Sequence, residues 1–266
     1  MKKDKKDLDK EVQQPKEGGK TSIKDSISNV AKGIVEVMPS GNKIKNTASK
    51  VKDEKKTSLK KEQIETPDHY KQLKQKSLKG MHLPKDAKAY GMRTKNASFI
   101  FVSFAVSEQE SMPFDNDQMI IDQLHDSLGE NQGIIEVRSG KTASGKPFVF
   151  DILKMSSVSK EGFPMGMSYI LNINAKMDKS IQFINGSFSE EGMTGMRDSV
   201  CFAMFRQSNS SESEDLLDGW FRDPYDSNYT KGLRMNFSEQ EGLDEKFPWH
   251  PLSELRRLVK YIIENN

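Results

Sequence analysis

The chain has 266 residues, of which 34% are hydrophobic and 30% are charged, and its formal net charge is +2. This length and hydrophobic content suffice for one substantial domain. No run approaches ~18 consecutive apolar residues, which argues against a protein built of membrane-spanning helices, and the single cysteine excludes an internal disulfide or a multi-cysteine zinc site.

Residues 1–66 are predicted to be a disordered basic arm. Residues 1–90 contain 23 Lys and 13 acids, a balance of +10, whereas residues 91–266 contain 18 Lys or Arg and 26 acids, a balance of −8. All 14 Phe and both Trp lie after residue 90. A segment without large apolar side chains cannot offset the entropy cost of ordering its backbone. The near-neutral total therefore combines a basic arm with an acidic body.

One segment of the arm, residues 22–38, has the pattern of an amphipathic helix. Its apolar residues Ile23, Ile27, Val30 and Ile34 follow one another at spacings of 4, 3 and 4, as on one helix face. Such a helix lies on an anionic membrane or docks on a partner. The alternative is a transient helix in a solvated tail.

Eight lysines follow between residues 43 and 61. A lysine run neutralises nucleic-acid phosphates, but this one has no arginine or aromatic residue to stack on bases, and Asp53 and Glu54 interrupt it. We therefore favour a solubilising role and keep binding to an anionic membrane surface or a nucleic acid as an alternative.

The N-terminus carries no targeting signal that we recognise. It lacks the ~7–15 consecutive apolar residues of a secretory signal, and Met1 is not followed by the glycine that myristoylation requires. We expect a cytoplasmic protein.

Residues 67–96 are interpreted as a linker. A short helix is predicted within residues 59–80, after Thr66-Pro67 and ended by Gly80.

Residues 97–206 are predicted to form an α+β core domain. Residues 97–106 are apolar and rich in β-branched and aromatic side chains, which favours a buried strand. Residues 117–128 repeat apolar side chains at helical spacing, and Asp115 or Asp117 is predicted to cap that helix.

Four further strands and a second helix complete the predicted core. The strands are expected at residues 133–138, 147–155, 167–175 and 180–188, paired as two hairpins, with residues 139–146 as the first turn. The second helix spans residues 193–205 and is capped by Ser189 or Thr194. Its buried stripe is predicted to consist of Met193, Met196, Val200, Cys201 and Met204.

This order of elements predicts an antiparallel sheet covered by helices. The end of the meander, IQFINGSFSEEGMTGMRDSV, gives a strand, a glycine-bearing turn and a helix. In this the chain resembles the PsbP-like α/β/α sandwich over about residues 90–206. The resemblance implies a protein-binding or assembly module, and it assigns no functional residue.

Residues 207–266 are predicted to be an acidic, serine-rich loop followed by a tail that ends in a docked helix. Ser253 is the expected N-cap of that helix after Pro251, and its apolar stripe runs from Leu255 to Ile263. Arg256 and Arg257 are predicted to point outward. The stretches WFRDPYD and FPWHP resemble C-terminal segments of uncharacterised bacterial proteins.

No catalytic or metal-binding constellation emerges. Gly140-Lys141-Thr142 ends like a Walker A loop, but Ile135 stands where the loop needs glycine, and the segment lies between two strands. Asp122 with His125 lacks a third ligand. Four acids in the tail could supply oxygen ligands to calcium, namely Asp215, Asp218, Asp223 and Asp226, but their spacing does not match an EF-hand loop. Asp223-Pro224 and Asp226 are predicted to form turns instead.

Nucleophilic catalysis and cofactors are not indicated either. Cys201 is expected to be an inert core residue, because burial raises the pKa of a thiol, and no Gly-x-Ser-x-Gly elbow occurs. We expect no cofactor and no metal.

The remaining function is surface recognition. Methionines beside glycines, in GFPMGM and MTGM, suit either an adaptable groove for a peptide or a core filled with Met. Five aromatic residues of the tail are candidate partner-binding anchors or pegs that hold the tail on its own domain, namely Trp220, Phe221, Tyr225, Phe247 and Trp249. We expect a non-enzymatic protein-binding module, with a hydrolase or transferase of unrecognised site as the alternative.

Overall fold

The computed structural model describes residues 64–74, 84, 86–107, 113–158, 164–208 and 215–266. The predicted arm up to residue 63, with its amphipathic segment 22–38, lies outside the described residues.

Seven strands in these ranges form one antiparallel sheet. They are β1 Lys71–Gln72, β2 Lys88–Arg93, β3 Ala97–Ser107, β4 Gln132–Lys141, β5 Pro147–Val158, β6 Pro164–Lys176 and β7 Ser180–Glu190. Their order in the sheet is β1-β2-β3-β7-β6-β5-β4, and the neighbours from β3 to β4 in this order share nine to eleven residue pairs.

Three α-helices accompany the sheet in the described ranges. They are α1 Asp117–Ser127, α2 Met196–Ser208 and α3 Pro251–Asn265. Between α2 and α3 the chain forms a two-stranded ribbon, β8 Phe221–Arg222 with β9 Met235–Asn236, and two 3-10 turns, Phe237–Glu239 and Glu241–Lys246. None of the described helices is long and apolar enough to cross a membrane.

Helix α3 covers one face of the sheet. The large side chains of that face alternate along each strand, as the period of a strand requires. Phe101, Phe150 and Leu171 form one apolar core with Leu252, Leu255, Leu258 and other residues of α3. The predicted docked C-terminal helix is confirmed.

Helix α1 covers part of the other face. Ile121 and Leu124 pack on Ile134, Leu153 and Ile170. A separate apolar cluster lies on the same face, at the β2–β3 side of the sheet, and contains Ala89, Val102 and Phe104. The predicted class, an antiparallel sheet with helices packed on it, is confirmed.

The interpretation of residues 67–96 as a linker is wrong for the part that the structure describes. Tyr70 is buried, and its ring meets the edge of Phe101 with the ring centres 5.0 Å apart. Residues Lys71–Gln72 form β1, where a helix was predicted, and β2 pairs with β3 over six residue pairs. The sequence signal is weak because these strands lie at the sheet edge and expose much of their surface.

Two of the predicted helix N-caps are also wrong. The side chain of Asn116, not of Asp115 or Asp117, accepts from the backbone N–H of Met119 at the start of α1. Helix α3 begins with Pro251, and the His250 ring accepts from the N–H of Leu252. Proline suits the first helical position because its missing N–H has no intrahelical partner there, and this places Ser253 inside the helix.

The tail covers the free edge of β4. The Tyr225 hydroxyl donates to the carbonyl of Val137 at 3.0 Å and accepts from its N–H at 2.5 Å, and the Leu233 N–H donates to the carbonyl of Gln132 at 2.8 Å. Covering an edge strand prevents it from pairing with another chain. A Cβ on Gly133 would lie 1.6 Å from the Leu233 carbonyl oxygen, so only glycine permits this approach.

Candidate docking surface on helix α2

Helix α2 turns a different face to the body than its sequence predicts. Its buried residues are Arg197, Cys201 and Phe205. Cys201 is in the core as expected, and burial raises the pKa of its thiol. The predicted buried stripe is otherwise wrong at three positions, because Met193, Met196 and Val200 are 68%, 45% and 46% exposed.

Arg197 fixes this orientation of α2. Its side chain is 2% exposed, and its Nε–H donates to the carbonyl of Ser238 at 2.7 Å. One terminal nitrogen donates to Ser253 Oγ at 2.9 Å, and the other donates to Asp244 Oδ1 at 3.0 Å and to the carbonyl of Gln240 at 3.2 Å. A buried charge is tolerated only when it is paired and hydrogen-bonded. Arg197 therefore holds α2 against the 3-10 turns and the start of α3.

Asp244 links this network to α3. Its carboxylate also accepts from both the Ser253 hydroxyl, at 3.0 Å, and the guanidinium of Arg256, at 3.2 Å. Arg256 forms an ion pair with Glu136 on β4 at 3.1 Å. The prediction that Arg256 points outward is wrong, because these partners cover its side chain, whereas Arg257 is half-exposed as predicted.

A second buried ion pair anchors the first 3-10 turn on the sheet. Lys154 Nζ lies 2.8 Å from Glu239 Oε2, and both side chains are almost fully buried. The hydroxyl of Tyr169 donates to the same carboxylate at 3.2 Å, and the backbone N–H of Asn236 donates to it at 2.7 Å. Burial, together with the Glu239 carboxylate, raises the pKa of the Tyr169 hydroxyl well above its ordinary value.

The five candidate aromatic residues do not come together at one site. Trp220 and Phe247 are buried in an apolar cluster with Cys201, Phe205 and Leu243. Tyr225 is half-exposed, and its hydroxyl is bonded to β4. Phe221 and Trp249 are exposed, Trp249 to 61%. Trp220, Phe247 and Tyr225 thus hold the tail on its domain, and partner binding at all five residues stays a prediction.

The residues that α2 exposes most are all uncharged. Its exposed residues are Met196, Ser199, Val200, Ala203, Gln207 and Ser208. The helix also contains Arg197, which is buried, and Asp198 and Arg206, which are half-buried. Asp198 accepts from Asn236 and Ser238, and Arg206 donates at the surface to the carbonyl of Leu216. We call the patch formed by Met193, Met196, Ser199, Val200 and Ala203 the α2 surface.

The other helices differ from α2 in this respect. Helix α1 exposes Asp122 and Asp126, and α3 exposes Arg257, Lys260 and Glu264. An exposed helix face is ordinarily polar and charged. The α2 surface is therefore the exception among the described helices.

The histidine and acid candidates pair with protein groups. His125 Nε2 lies 3.1 Å from Asp223 Oδ2, and its ring stacks on Tyr229 with the ring centres 4.0 Å apart. The other Asp223 oxygen accepts from the N–H groups of Tyr225 and Asp226, which forms the predicted turn. Asp122 accepts from Gln118. No group of three possible metal ligands occurs in the described ranges.

The alternation of Asn172 with Leu171 and Ile173 predicts a wetter face of the sheet, but the sequence did not predict the row of polar side chains that three strands form there. The Asn185 amide donates to Asn172, whose own amide donates to Asp151 Oδ1 at 2.7 Å. The three residues are cross-strand neighbours on β7, β6 and β5. Burial raises the pKa of Asp151 to about 7, although the hydrogen bond from Asn172 opposes this shift.

Comparison with known proteins adds no assignment. No protein-family model matches this sequence, and a search of curated proteins finds no match. The fold and the α2 surface therefore define the class of this molecule, an α+β protein with a seven-stranded antiparallel sheet and one uncharged helix face.

Proposed function

We propose that this chain is a non-enzymatic protein-binding module that holds its partner on the α2 surface. The observation that carries the proposal is the combination of exposed Met193, Met196 and Val200 with the absence of any exposed charge on α2. The cores of protein interfaces are depleted of charged residues and enriched in methionine.

The orientation of α2 supports a role of its exposed residues in binding a partner. The body places an arginine inward and leaves two methionines and a valine in water, although burying one such side chain contributes about 1.5–3 kcal/mol. A contiguous exposed apolar patch marks an interaction site more often than scattered apolar residues do. Methionine side chains adapt to irregular partner surfaces, which suits an amphipathic helix as the docked element.

Two further proposals complete this picture. The PsbP-like resemblance of residues 90–206 favours a binding or assembly role, and we propose a cytoplasmic location for the chain. Phe221 and Trp249 are further candidate contacts for a partner outside α2, because both are exposed.

Charge substitutions at Val200 test the proposal. Val200→Glu and Val200→Lys place charges of opposite sign in the middle of the α2 surface. Because either charge would have to be desolvated on binding, both variants are expected to bind an apolar partner more weakly, whether that partner is acidic or basic elsewhere. Met119→Glu is the matched control, because Met119 is an exposed methionine on α1. The full-length variants are used as bait in extracts of the source cells, and retained proteins are quantified and then purified for direct binding.

The outcomes are distinct. The proposal predicts a partner that binds wild type and Met119→Glu equally, and that binds both Val200 variants at least about tenfold more weakly, since truncating or charging a central contact costs more than about 1.4 kcal/mol. Retention of the same proteins by all four chains contradicts it. Loss with Val200→Glu but not with Val200→Lys indicates electrostatic binding to the acidic body instead.

A further inference from the structure

We infer that residues 22–38 of the same chain occupy the α2 surface when no partner is bound. This inference uses the surface of the proposed function and names a competitor for it. Its basis is the match between that surface and the apolar pattern, the charge and the tether length of this N-terminal segment.

The segment has the composition that the α2 surface requires. Ile23, Ile27, Val30 and Ile34 share one face of the predicted helix. The charges within residues 22–38 are two lysines and two acids, so its net charge is zero. An uncharged, apolar stripe on a helix is the complement of an uncharged helix face, because association of the two removes apolar area from water without desolvating a charge.

The structure fixes the point from which the arm leaves the body. The backbone N–H of Glu65 donates to Asn266 Oδ1 at 2.7 Å, so the arm ends beside the C-terminal end of α3. Helix α2 contacts the opposite end of α3, where Arg197 donates to Ser253 Oγ. Because α3 has 15 residues, the two points are separated by about 22 Å along the helix axis.

The intervening chain matches this distance. Residues 39–63 number 25, and any flexible chain of this length has a root-mean-square span of about 25–30 Å. A tether whose average span equals the separation of the two sites gives the highest effective concentration, on the order of 1 mM. A weak helix contact, with a dissociation constant of ~0.1 mM, is then occupied about nine-tenths of the time.

The charge distribution favours the same arrangement. Residues 43–61 of the tether contain eight lysines and two acids. Four acids follow α2 within residues 212–218, namely Glu212, Glu214, Asp215 and Asp218. A basic tether that crosses an acidic body is attracted to it at low and moderate ionic strength.

Photo-crosslinking in the full-length chain tests the inference. p-Benzoylphenylalanine replaces Val200 in one sample and Met119 in a control, and crosslinked peptides are identified by mass spectrometry after irradiation of dilute protein. We expect intramolecular crosslinks from position 200 to residues 22–38 and none from position 119. Adding Ile27→Asp and Val30→Asp is expected to lower the yield of the crosslink from position 200 at least about fivefold. A Ser26→Asp variant, which changes a polar position, retains the crosslink.

Two results overturn the inference. One is the absence of crosslinks between position 200 and residues 22–38. The other is a crosslink that joins two chains and grows with protein concentration, which identifies a second copy as the occupant.

The inference about residues 22–38 and the proposed function can each be refuted without refuting the other. The arm competes with the partner, so Ile27→Asp is expected to lower the partner's apparent dissociation constant about tenfold. If the crosslink is absent and Val200→Glu still loses the partner, only the inference is wrong. If the crosslink forms and no partner depends on Val200, the proposed function is wrong and the α2 surface serves the arm alone.

Discussion

The raised pKa of Asp151, on the sheet face that α1 covers in part, leads to a quantitative prediction of how the stability of the fold depends on pH. Its carboxyl group is half-buried at the end of the row that continues through Asn172 and Asn185. Burial raises its pKa from 3.8 to about 7. The folded protein therefore holds a proton on Asp151 at pH values where the unfolded chain has released it.

The sign of the pH dependence follows from this difference. Below pH 3.8 Asp151 is protonated in both the folded and the unfolded chain, so its carboxyl group does not lower the free energy of unfolding. Stability is lost as the pH rises from about 4 to about 7, because the unfolded chain then binds fewer protons than the folded one. A pKa raised by about three corresponds to about 4 kcal/mol, and partial exposure of the side chain reduces this to an expected 2–4 kcal/mol.

Replacement Asp151→Asn removes the ionisable group and keeps its shape and its acceptor oxygen for Asn172. We expect the variant to be about 2–4 kcal/mol more stable than wild type at pH 8 and within about 1 kcal/mol of it at pH 4. Urea unfolding from pH 4 to pH 9, followed by tryptophan fluorescence, measures the difference, in which all other titrating groups cancel. Trp220 is buried and reports unfolding.

Asp122→Asn is the control for this experiment. Asp122 is exposed on α1, so its variant is expected to run parallel to wild type across the whole pH range. A pH-independent difference between Asp151→Asn and wild type would refute the reasoning, and so would a variant that is less stable than wild type at pH 8.

Three further predictions concern the buried contacts of the tail, each measured as the free energy of urea unfolding. Arg197→Ala is expected to cost about 3–5 kcal/mol, because it removes the buried guanidinium that donates to Asp244 and to the carbonyls of Ser238 and Gln240. Arg197→Lys is expected to recover less than half of this loss, since an ammonium cannot reproduce the planar guanidinium fork, and full recovery would contradict this. Lys154→Met is expected to cost about 3–5 kcal/mol, because it leaves the buried Glu239 carboxylate charged and without its ion-pair partner. Adding Glu239→Gln is expected to restore part of this loss, whereas additive losses would show that Lys154 and Glu239 are not coupled. Gly133→Ala is expected to cost more than 2 kcal/mol, because the new methyl group overlaps the backbone of Leu233.

The central strands and α1 were predictable because local pattern and burial agree there. Residues 97–106 form a continuous apolar run, and β3 spans Ala97–Ser107. The two hairpins β4–β5 and β6–β7 occur as predicted. Strand lengths were underestimated, since β5 continues into Ser156 and Ser157 and β7 into Ser189 and Glu190, which are polar residues that the sheet pairs all the same.

The face of α2 was not predictable from apolar spacing. The pattern places Met196 and Val200 inward, and the structure places Arg197 there. The acceptors of Arg197 lie 41 to 56 positions later in the chain, so no local signal announces them. The Asn236 to Glu239 spacing of a capping box marks the first 3-10 turn, but it does not indicate that Arg197 contacts this turn.

The central claim is that the uncharged side of α2 is a docking site and not a part of the body's own packing. The most direct measurement is the dissociation constant of the captured partner, by titration calorimetry, for wild type, Met119→Glu and Val200→Glu. The account predicts equal constants for the first two and a constant at least about tenfold larger for the third, with unfolding free energies within about 0.5 kcal/mol of one another. Equal partner affinity in all three chains would contradict it.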